Sequence, residues 1–200
     1  HYQASFRHPD RDQKRGRIWR ISARGRPLDK PPALAAMTAA ELCKQLAAPT
    51  RWVSQQAKLR LMDLPKAEAI AAARSWVKSL DSSDPELEHK LYEAIGVFES
   101  HEEVNRPLLE RLLNARDPRA RAYAARVLGR WHDRLDNPLA LLKQCAADEN
   151  PRVRLEALVA ASDVRTAGSI AVVAQAADGP TDRFINFAFS QAVHALASRW

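Results

Sequence analysis

The sequence predicts an all-α protein in which about five helical hairpins stack into an α-solenoid, preceded by an extended N-terminal segment with one short β-strand. Apolar residues make up 46% of the 200 residues and aromatic residues only 6%, with Ala and Leu dominating. This mixture suits closely packed helices better than sheets. Helix-start signals of the Asp-Pro or Asn-Pro type also recur at a spacing of 33 residues, each followed by apolar positions four residues apart. A hairpin of this kind must bury its apolar face against a neighbour.

The first region, residues 1–30, has no helical period. Polar and apolar residues alternate over residues 17–21, which predicts a half-buried strand. Because a single strand leaves its backbone groups unpaired, it needs a sheet that this chain lacks, or it lies against the helices as an extended arm. A Pro-rich joint is predicted over residues 31–37, where Pro31 and Pro32 disfavour helix. The helical domain is predicted over residues 38–200.

The net charge of +7 is concentrated in the first region. Residues 1–30 hold nine Lys or Arg against three acidic residues, and the other 170 residues hold 22 basic and 21 acidic groups. The helical region is therefore almost neutral, which argues against nucleic acid as its main partner.

Targeting and redox signals are absent from the sequence. There is no apolar run of the length that spans a bilayer and no signal peptide in residues 1–30. Because the chain starts at His1, we expect it to be a piece of a longer protein. Cys43 and Cys145 lie inside helical patterns and are interpreted as buried, small apolar residues.

Ten helices are predicted from residue 38 onward. Thr38 and Glu41 form a capping-box pattern at the first helix. Later starts place a capping side chain before a proline at the first helical position, as at Asp84-Pro85, Asp117-Pro118, Asn137-Pro138 and Asn150-Pro151. In the terminal repeat, a spacing of 31 residues assigns the apolar position of Val153 to Phe184.

The repeated unit resembles a known family. Asp117-Pro118-Arg119-Ala120-Arg121 and Asn150-Pro151-Arg152-Val153-Arg154 are similar to the Asp-Pro-x-Val/Ala-Arg pattern of HEAT repeats, in the shorter form of bacterial HEAT-like proteins. The resemblance covers residues 38–200. It implies a stack of hairpins in which Arg121 and Arg154 pair with acidic residues of successive units.

The N-terminal region carries a second resemblance. His8-Pro9-Asp10-Arg11-Asp12, followed by residues 16–21, resembles the closing segment of the β-propeller in bacterial sorbosone-dehydrogenase-like, membrane-bound dehydrogenases of Planctomycetes and Verrucomicrobia. In that family HEAT repeats follow the propeller. Lys14-Arg15 and His8-Pro9 depart from the pattern, and the propeller body lies outside this sequence, so the resemblance transfers no active-site residue.

Tryptophans and arginines provide the candidate binding residues. Trp52 and Trp76 are candidates for a groove, although tryptophan in such stacks also fills the core. Arg119, Arg126 and Arg130 share one helix face. This pattern is typical of a phosphate-binding stripe, and it is equally typical of a solvated face whose charge is offset by nearby acidic residues. The six histidines are scattered without zinc-ligand spacing, and no catalytic, cofactor-binding or metal-binding residue is predicted.

These observations predict a non-catalytic scaffold or protein-interaction domain, without a cofactor of its own. Its partners would be proteins, either other domains of a larger dehydrogenase or separate chains. The second resemblance places that larger protein in the bacterial cell envelope. The alternative from another class is a module that binds the phosphate backbone of nucleic acid.

Overall fold

The computed structural model describes residues 21, 24–25 and 30–199. The chain divides into two compact units, residues 1–32 and residues 33–200. The predicted strand at residues 17–21 falls outside the described residues except for Ile21. The fold below is that of the second unit.

The described part of the second unit is all-helical, which confirms the predicted fold class for this region. Short 3-10 turns at Leu34–Ala36, His132–Arg134 and Ala197–Arg199 accompany ten α-helices. The α-helices are Ala39–Gln45 (α1), Arg51–Asp63 (α2), Lys66–Ser79 (α3), Leu87–Ser100 (α4), Arg106–Leu113 (α5), Pro118–Arg130 (α6), Pro138–Ala146 (α7), Pro151–Val164 (α8), Ala167–Ala177 (α9) and Arg183–Leu196 (α10).

Capping side chains start several of these helices where the sequence predicts. The Thr38 hydroxyl accepts the Glu41 N–H at 3.3 Å, and the Glu41 carboxylate accepts the Thr38 N–H at 2.8 Å. Asp117 accepts the N–H two residues later at 2.8 Å, and Asn150 does the same at 3.0 Å. These bonds satisfy N–H groups that have no partner within the helix. The proline that follows each of these two caps loses nothing, because it has no N–H to satisfy.

One predicted start and one predicted capping bond differ from the structure. Helix α4 begins at Leu87, because Asp84 accepts the Glu86 N–H at 2.8 Å and holds Pro85 in a turn before the helix. Asn137 precedes α7 in the left-handed conformation, with φ 53°, and its side chain makes no capping bond. Asn tolerates this conformation better than most residues, and α7 still begins at Pro138 as predicted.

The helices form hairpins that stack in two layers. Each odd-numbered helix contacts the even-numbered helix that follows it. The even-numbered helices also contact one another in the order α2, α4, α6, α8, α10, and we call them the second layer. The odd-numbered helices form the first layer, where α1 contacts α3 and α7 contacts α9. Shared faces between successive hairpins therefore build one continuous core.

Helices α6 and α8 make the most extensive contact between any two helices of the described region. A Cβ at Gly129 would lie 2.5 Å from the Ala160 Cβ, closer than two non-bonded carbon atoms can approach. Glycine at this position lets the two backbones lie against each other. Ala124 and Ala157 are fully buried in the same layer. The second layer is thus held together by small residues, consistent with the abundance of alanine.

The buried positions follow the capping residue, not a fixed repeat length. The third residue after the N-cap is buried in four second-layer helices: Val53, Ala120, Val153 and Ile185. The sequence spacing predicted that Phe184 would occupy this position in α10. Asp182 accepts the N–H groups of Phe184 and Ile185, which starts the helix one residue later than that spacing requires. Phe184 is consequently exposed, and the prediction for it was wrong.

Arg121 of α6 makes an ion pair that links successive hairpins. Its Nε lies 2.7 Å from Asp148 Oδ2 and its Nη2 lies 2.9 Å from Asp148 Oδ1, so the carboxylate accepts two bonds in parallel. Its Nη1 donates to the carbonyl oxygens of Ala115 and Arg116. The side chain therefore joins the loop before α6 to the loop before α8. This is the contact between successive units that the HEAT resemblance implies.

Arg154 repeats only the main-chain part of this arrangement one hairpin later, and the acidic partner that the resemblance implied for it is not found in the described region. Its Nη1 donates to the carbonyl oxygens of Asp148 and Glu149, each at 3.0 Å, 33 residues after the two carbonyls that Arg121 uses. Its Nη2 donates to the Pro180 carbonyl, so all of its hydrogen bonds in the described region go to backbone. Gly179 packs 3.1 Å from the guanidinium carbon, measured from the position its Cβ would take. The arginine contact to the last hairpin is therefore made with main-chain carbonyl groups.

The Arg121–Asp148 pair predicts how stability depends on pH. Burial raises the pKa of Asp148, but hydrogen bonds from Arg121 and from the Asn150 N–H outweigh it, so the net pKa lies below its usual value. The pair therefore stabilises the fold above the pKa of an unfolded Asp, about 3.9. This contribution is lost as the pH falls through the lower pKa of the folded state.

Asp148→Ala leaves the Arg121 side chain, 14% exposed, without its carboxylate. We expect the free energy of unfolding at pH 7, measured by urea denaturation, to fall by about 3–5 kcal/mol. The difference from wild type should shrink below about pH 4. Glu149→Ala is the matched control, because Glu149 is 92% exposed and lies 3.9 Å from the Arg121 Nη2; it should cost less than about 0.5 kcal/mol. Equal effects of the two substitutions at pH 7 would contradict this assignment.

Candidate interaction surface

Large apolar side chains are exposed on one layer of the stack only. Within the described part of the second unit, every such side chain belongs to a second-layer helix. Three lie on α2, one on α8 and two on α10: Trp52, Leu59, Met62, Val159, Phe184 and Phe187. Scattered exposed apolar residues are normal on a protein surface, but their restriction to one layer is informative.

The exposed positions share a register that starts at the N-cap. In α2, α6, α8 and α10 the second and ninth residues after the N-cap are all exposed. Seven residues are about two helical turns, so both positions face the same direction. The second position holds Trp52, Arg119, Arg152 and Phe184, and the ninth holds Leu59, Arg126, Val159 and Gln191. We call these eight residues, together with Met62, Arg130 and Phe187, the second-layer face.

The exposed residues of α6 are all arginines, and they are the three predicted candidates. Arg119 donates to Asp117, with its Nη2 2.8 Å from Oδ2. Arg130 donates to Glu102, with its Nη2 2.7 Å from Oε1. No ion pair within 4.0 Å involves Arg126 among the described residues. Two of the three charges are therefore offset locally, and Arg126 presents its charge to solvent.

A groove runs beside this face between α2, α4 and α6. A cavity of about 420 Å³ is joined by a second of about 750 Å³ that extends to α8. Tyr92 and Tyr123 line both cavities, with their ring centroids 4.6 Å apart. A Cβ at Gly96 would lie 3.3 Å from the Tyr123 hydroxyl, so glycine allows this tyrosine to pack closely on α4. The groove floor is aromatic and formed by α4 and α6.

The charged groups of the groove are mostly paired within the molecule. The Glu93 carboxylate is buried and lies 2.7 Å from the Lys58 Nζ. The Tyr123 hydroxyl donates to Glu99. Burial is the main cause that raises the pKa of Tyr123, and its bond to Glu99 adds to this effect, so the phenol stays protonated. Burial also raises the pKa of Glu156, against the opposing charges of Arg126 and Arg152.

The two predicted tryptophans are in different environments. Trp52 is exposed on α2 and belongs to the second-layer face. Trp76 of α3 is only 8% exposed and packs in the hydrophobic core, so it does not contribute to a binding surface. Residue type alone could not distinguish the exposed tryptophan from the buried one. The N-cap register could have indicated Trp52, and it also indicates Arg152, Val159 and Phe184, which the sequence interpretation did not select.

The described region contains two cysteine thiols. Cys43 and Cys145 are free and buried, and burial raises the pKa of the first thiol to about 11 and that of the second to about 12. Thiols with such pKa values are poor nucleophiles. Groups of three or more His, Cys, Asp or Glu side chains arranged to hold a metal ion are not found among residues 21, 24–25 and 30–199.

Part of the chain matches a known family model. A family model described as HEAT repeats matches residues 105–197, which correspond to the last three hairpins. The match and the stacked helical pairs together support a HEAT-like domain. HEAT repeats commonly mediate protein interactions. A search of curated proteins found no relative. None of the described helices is long and apolar enough to cross a membrane.

Proposed function

We propose that the helical stack is an interaction scaffold that binds a partner protein through the second-layer face. The observation that carries this proposal is the restriction of all exposed large apolar side chains of the described stack to second-layer helices. Burying Trp, Leu, Met and Phe side chains against a partner gains roughly 1.5–3 kcal/mol for each one fully buried. Trp and Arg are also the residue types that most often dominate binding energy.

The stack is suited to hold such a surface rigid. The second-layer helices contact one another in sequence, and the closely packed α6 and α8 fix the spacing of the face at its centre. A rigid surface binds with a smaller loss of conformational entropy than a mobile one. The ion pairs of Arg119 and Arg130 with neighbouring carboxylates favour a protein partner over a phosphate backbone, because carboxylates at the surface repel phosphate.

Affinity capture from an extract of the source organism tests this proposal, with the proteins retained identified by mass spectrometry. The variant Trp52→Ser/Phe187→Ser should lose at least about tenfold of the partner that wild type retains, a loss of about 1.4 kcal/mol in binding. The matched control is Arg111→Gln/Lys143→Gln, which changes two exposed side chains of the first-layer helices α5 and α7. Capture that both variants leave unchanged contradicts the proposal.

We further propose that this scaffold is one section of a larger bacterial membrane-bound dehydrogenase-like protein, following its β-propeller. Support comes from residues 8–12 and 16–21, which resemble the closing segment of that propeller, and from the order of propeller segment, Pro-rich joint and helical repeats. In such a protein the stack would hold the propeller and an electron-accepting module, or a partner, at a fixed distance.

The gene provides the test of this wider assignment. We expect the codons upstream of His1 to encode a β-propeller in the same reading frame. A start codon directly before His1 would contradict the assignment, and it would leave the interaction face itself unaffected.

A further inference from the structure

The second-layer face changes character along the stack. Its first helix, α2, presents the apolar side chains of Trp52, Leu59 and Met62. Its last helix, α10, presents Phe184 and Phe187. Of the helices between them, α6 and α8 present mainly charge, and α4 has no exposed Lys, Arg, Asp or Glu. The exposed charged residues of α6 and α8 are four arginines and a single acid: Arg119, Arg126, Arg130, Arg152 and Asp163.

The positive charge at the centre of the face is not fully compensated by the groove. Three groove carboxylates already bind other groups: Glu93 pairs with Lys58, Glu99 accepts from Tyr123, and Asp117 pairs with Arg119. Arg126 and Arg152 are exposed and enter no ion pair within 4.0 Å among the described residues. The Glu156 carboxylate lies near both arginines and offsets part of their charge, but it forms no ion pair within 4.0 Å in the described region. These two side chains can therefore accept a carboxylate from a partner without breaking an existing pair.

The size of the face limits what can lie across it. From α2 to α10 there are four helix-to-helix steps of about 8–10 Å, so the face is about 32–40 Å long. An extended chain rises about 3.3 Å per residue, so about ten to twelve residues cover this distance.

We propose that the second-layer face binds an extended segment of a partner protein, about ten to twelve residues long, with acidic residues at its centre and apolar residues at both ends. The acidic centre would meet Arg126 and Arg152, and the apolar ends would cover Trp52 and Phe187. The inference rests on the proposed function and adds the chemical class of the partner segment. Charge complementarity at the centre would fix the position of the segment along the stack.

Two features of the face fit a polypeptide better than a nucleic acid. Within the second-layer face the charged residues lie on α6 and α8, whereas a nucleic-acid strand carries charge along its whole length. Arg51 and Arg60 on α2 and Arg183 on α10 are exposed beside the face but are not part of it. The apolar ends would contribute little to phosphate binding, but they provide sites for hydrophobic side chains of a peptide.

Selection from a phage-displayed library of random peptides of about 12 residues tests the inference. On wild-type protein we expect enrichment of Asp and Glu at the central positions and of Phe, Trp, Leu or Ile near both ends. On the variant Arg126→Gln/Arg152→Gln the central acids should no longer be enriched, while the apolar ends should remain. The thermal melting curve of each variant verifies that it is folded.

An enriched peptide, labelled with fluorescein, then gives dissociation constants by fluorescence anisotropy. Arg126→Gln/Arg152→Gln should raise the Kd at least about tenfold, equivalent to about 1.4 kcal/mol. The first-layer control Arg111→Gln/Lys143→Gln should leave the Kd within about twofold. Loss of the acidic preference at high salt is expected, since exposed charges are screened.

Three outcomes would overturn the inference: no enrichment of central acids, equal affinity of both double variants, or tighter binding of a single-stranded DNA of about 12 nucleotides than of the peptide. The last outcome would favour nucleic-acid binding. The capture experiment separates this failure from failure of the proposed function. If capture depends on Trp52 and Phe187 but the selected peptides lack acidic residues, the interaction face is supported and only the acidic segment is rejected.

Discussion

The close contact between α6 and α8 is the constraint on which the rest of the stack depends. Gly129 lies against Ala160 at a distance that no side chain could occupy, so the backbones of two successive repeats pack directly on each other. Small residues gain little burial energy individually, but they allow many contacts per helix. The short spacing brings the Arg121 guanidinium within reach of Asp148 across the repeat. It also places Arg126 and Arg152 on neighbouring helices of one exposed face.

The repeated N-cap determines which side chains of the packed helices are exposed. Because the third residue after the cap is buried in four second-layer helices, the second and ninth residues are directed to solvent in each of them. A substitution at either of those positions would alter the surface without changing a buried side chain. The present chain has two apolar residues there on α2, Phe184 and Gln191 on α10, two arginines on α6, and one arginine and one valine on α8. This order of residue types is the basis for assigning a partner segment to the face.

Much of the fold was predictable because its signals are local. Asp117-Pro118 and Asn150-Pro151 specify a cap and a first helical residue within two positions, and both helices begin there. The face was harder to predict, since it depends on contacts between helices. Trp52 and Trp76 look alike in sequence, yet only the packing of α3 buries the second one. The approach of Tyr123 to Gly96 requires the spacing of α4 and α6, which no sequence pattern shows.

The most direct test of an interaction face on the second layer is hydroxyl-radical footprinting of the complex with the captured partner. Trp, Met and Phe side chains react readily with these radicals, so the oxidation of these residues in the face can be measured directly. We expect Trp52, Met62 and Phe187, all exposed in the free chain, to become protected when the partner binds. Unchanged oxidation of these three residues, with protection confined to the first-layer helices α5 and α7, would contradict the account.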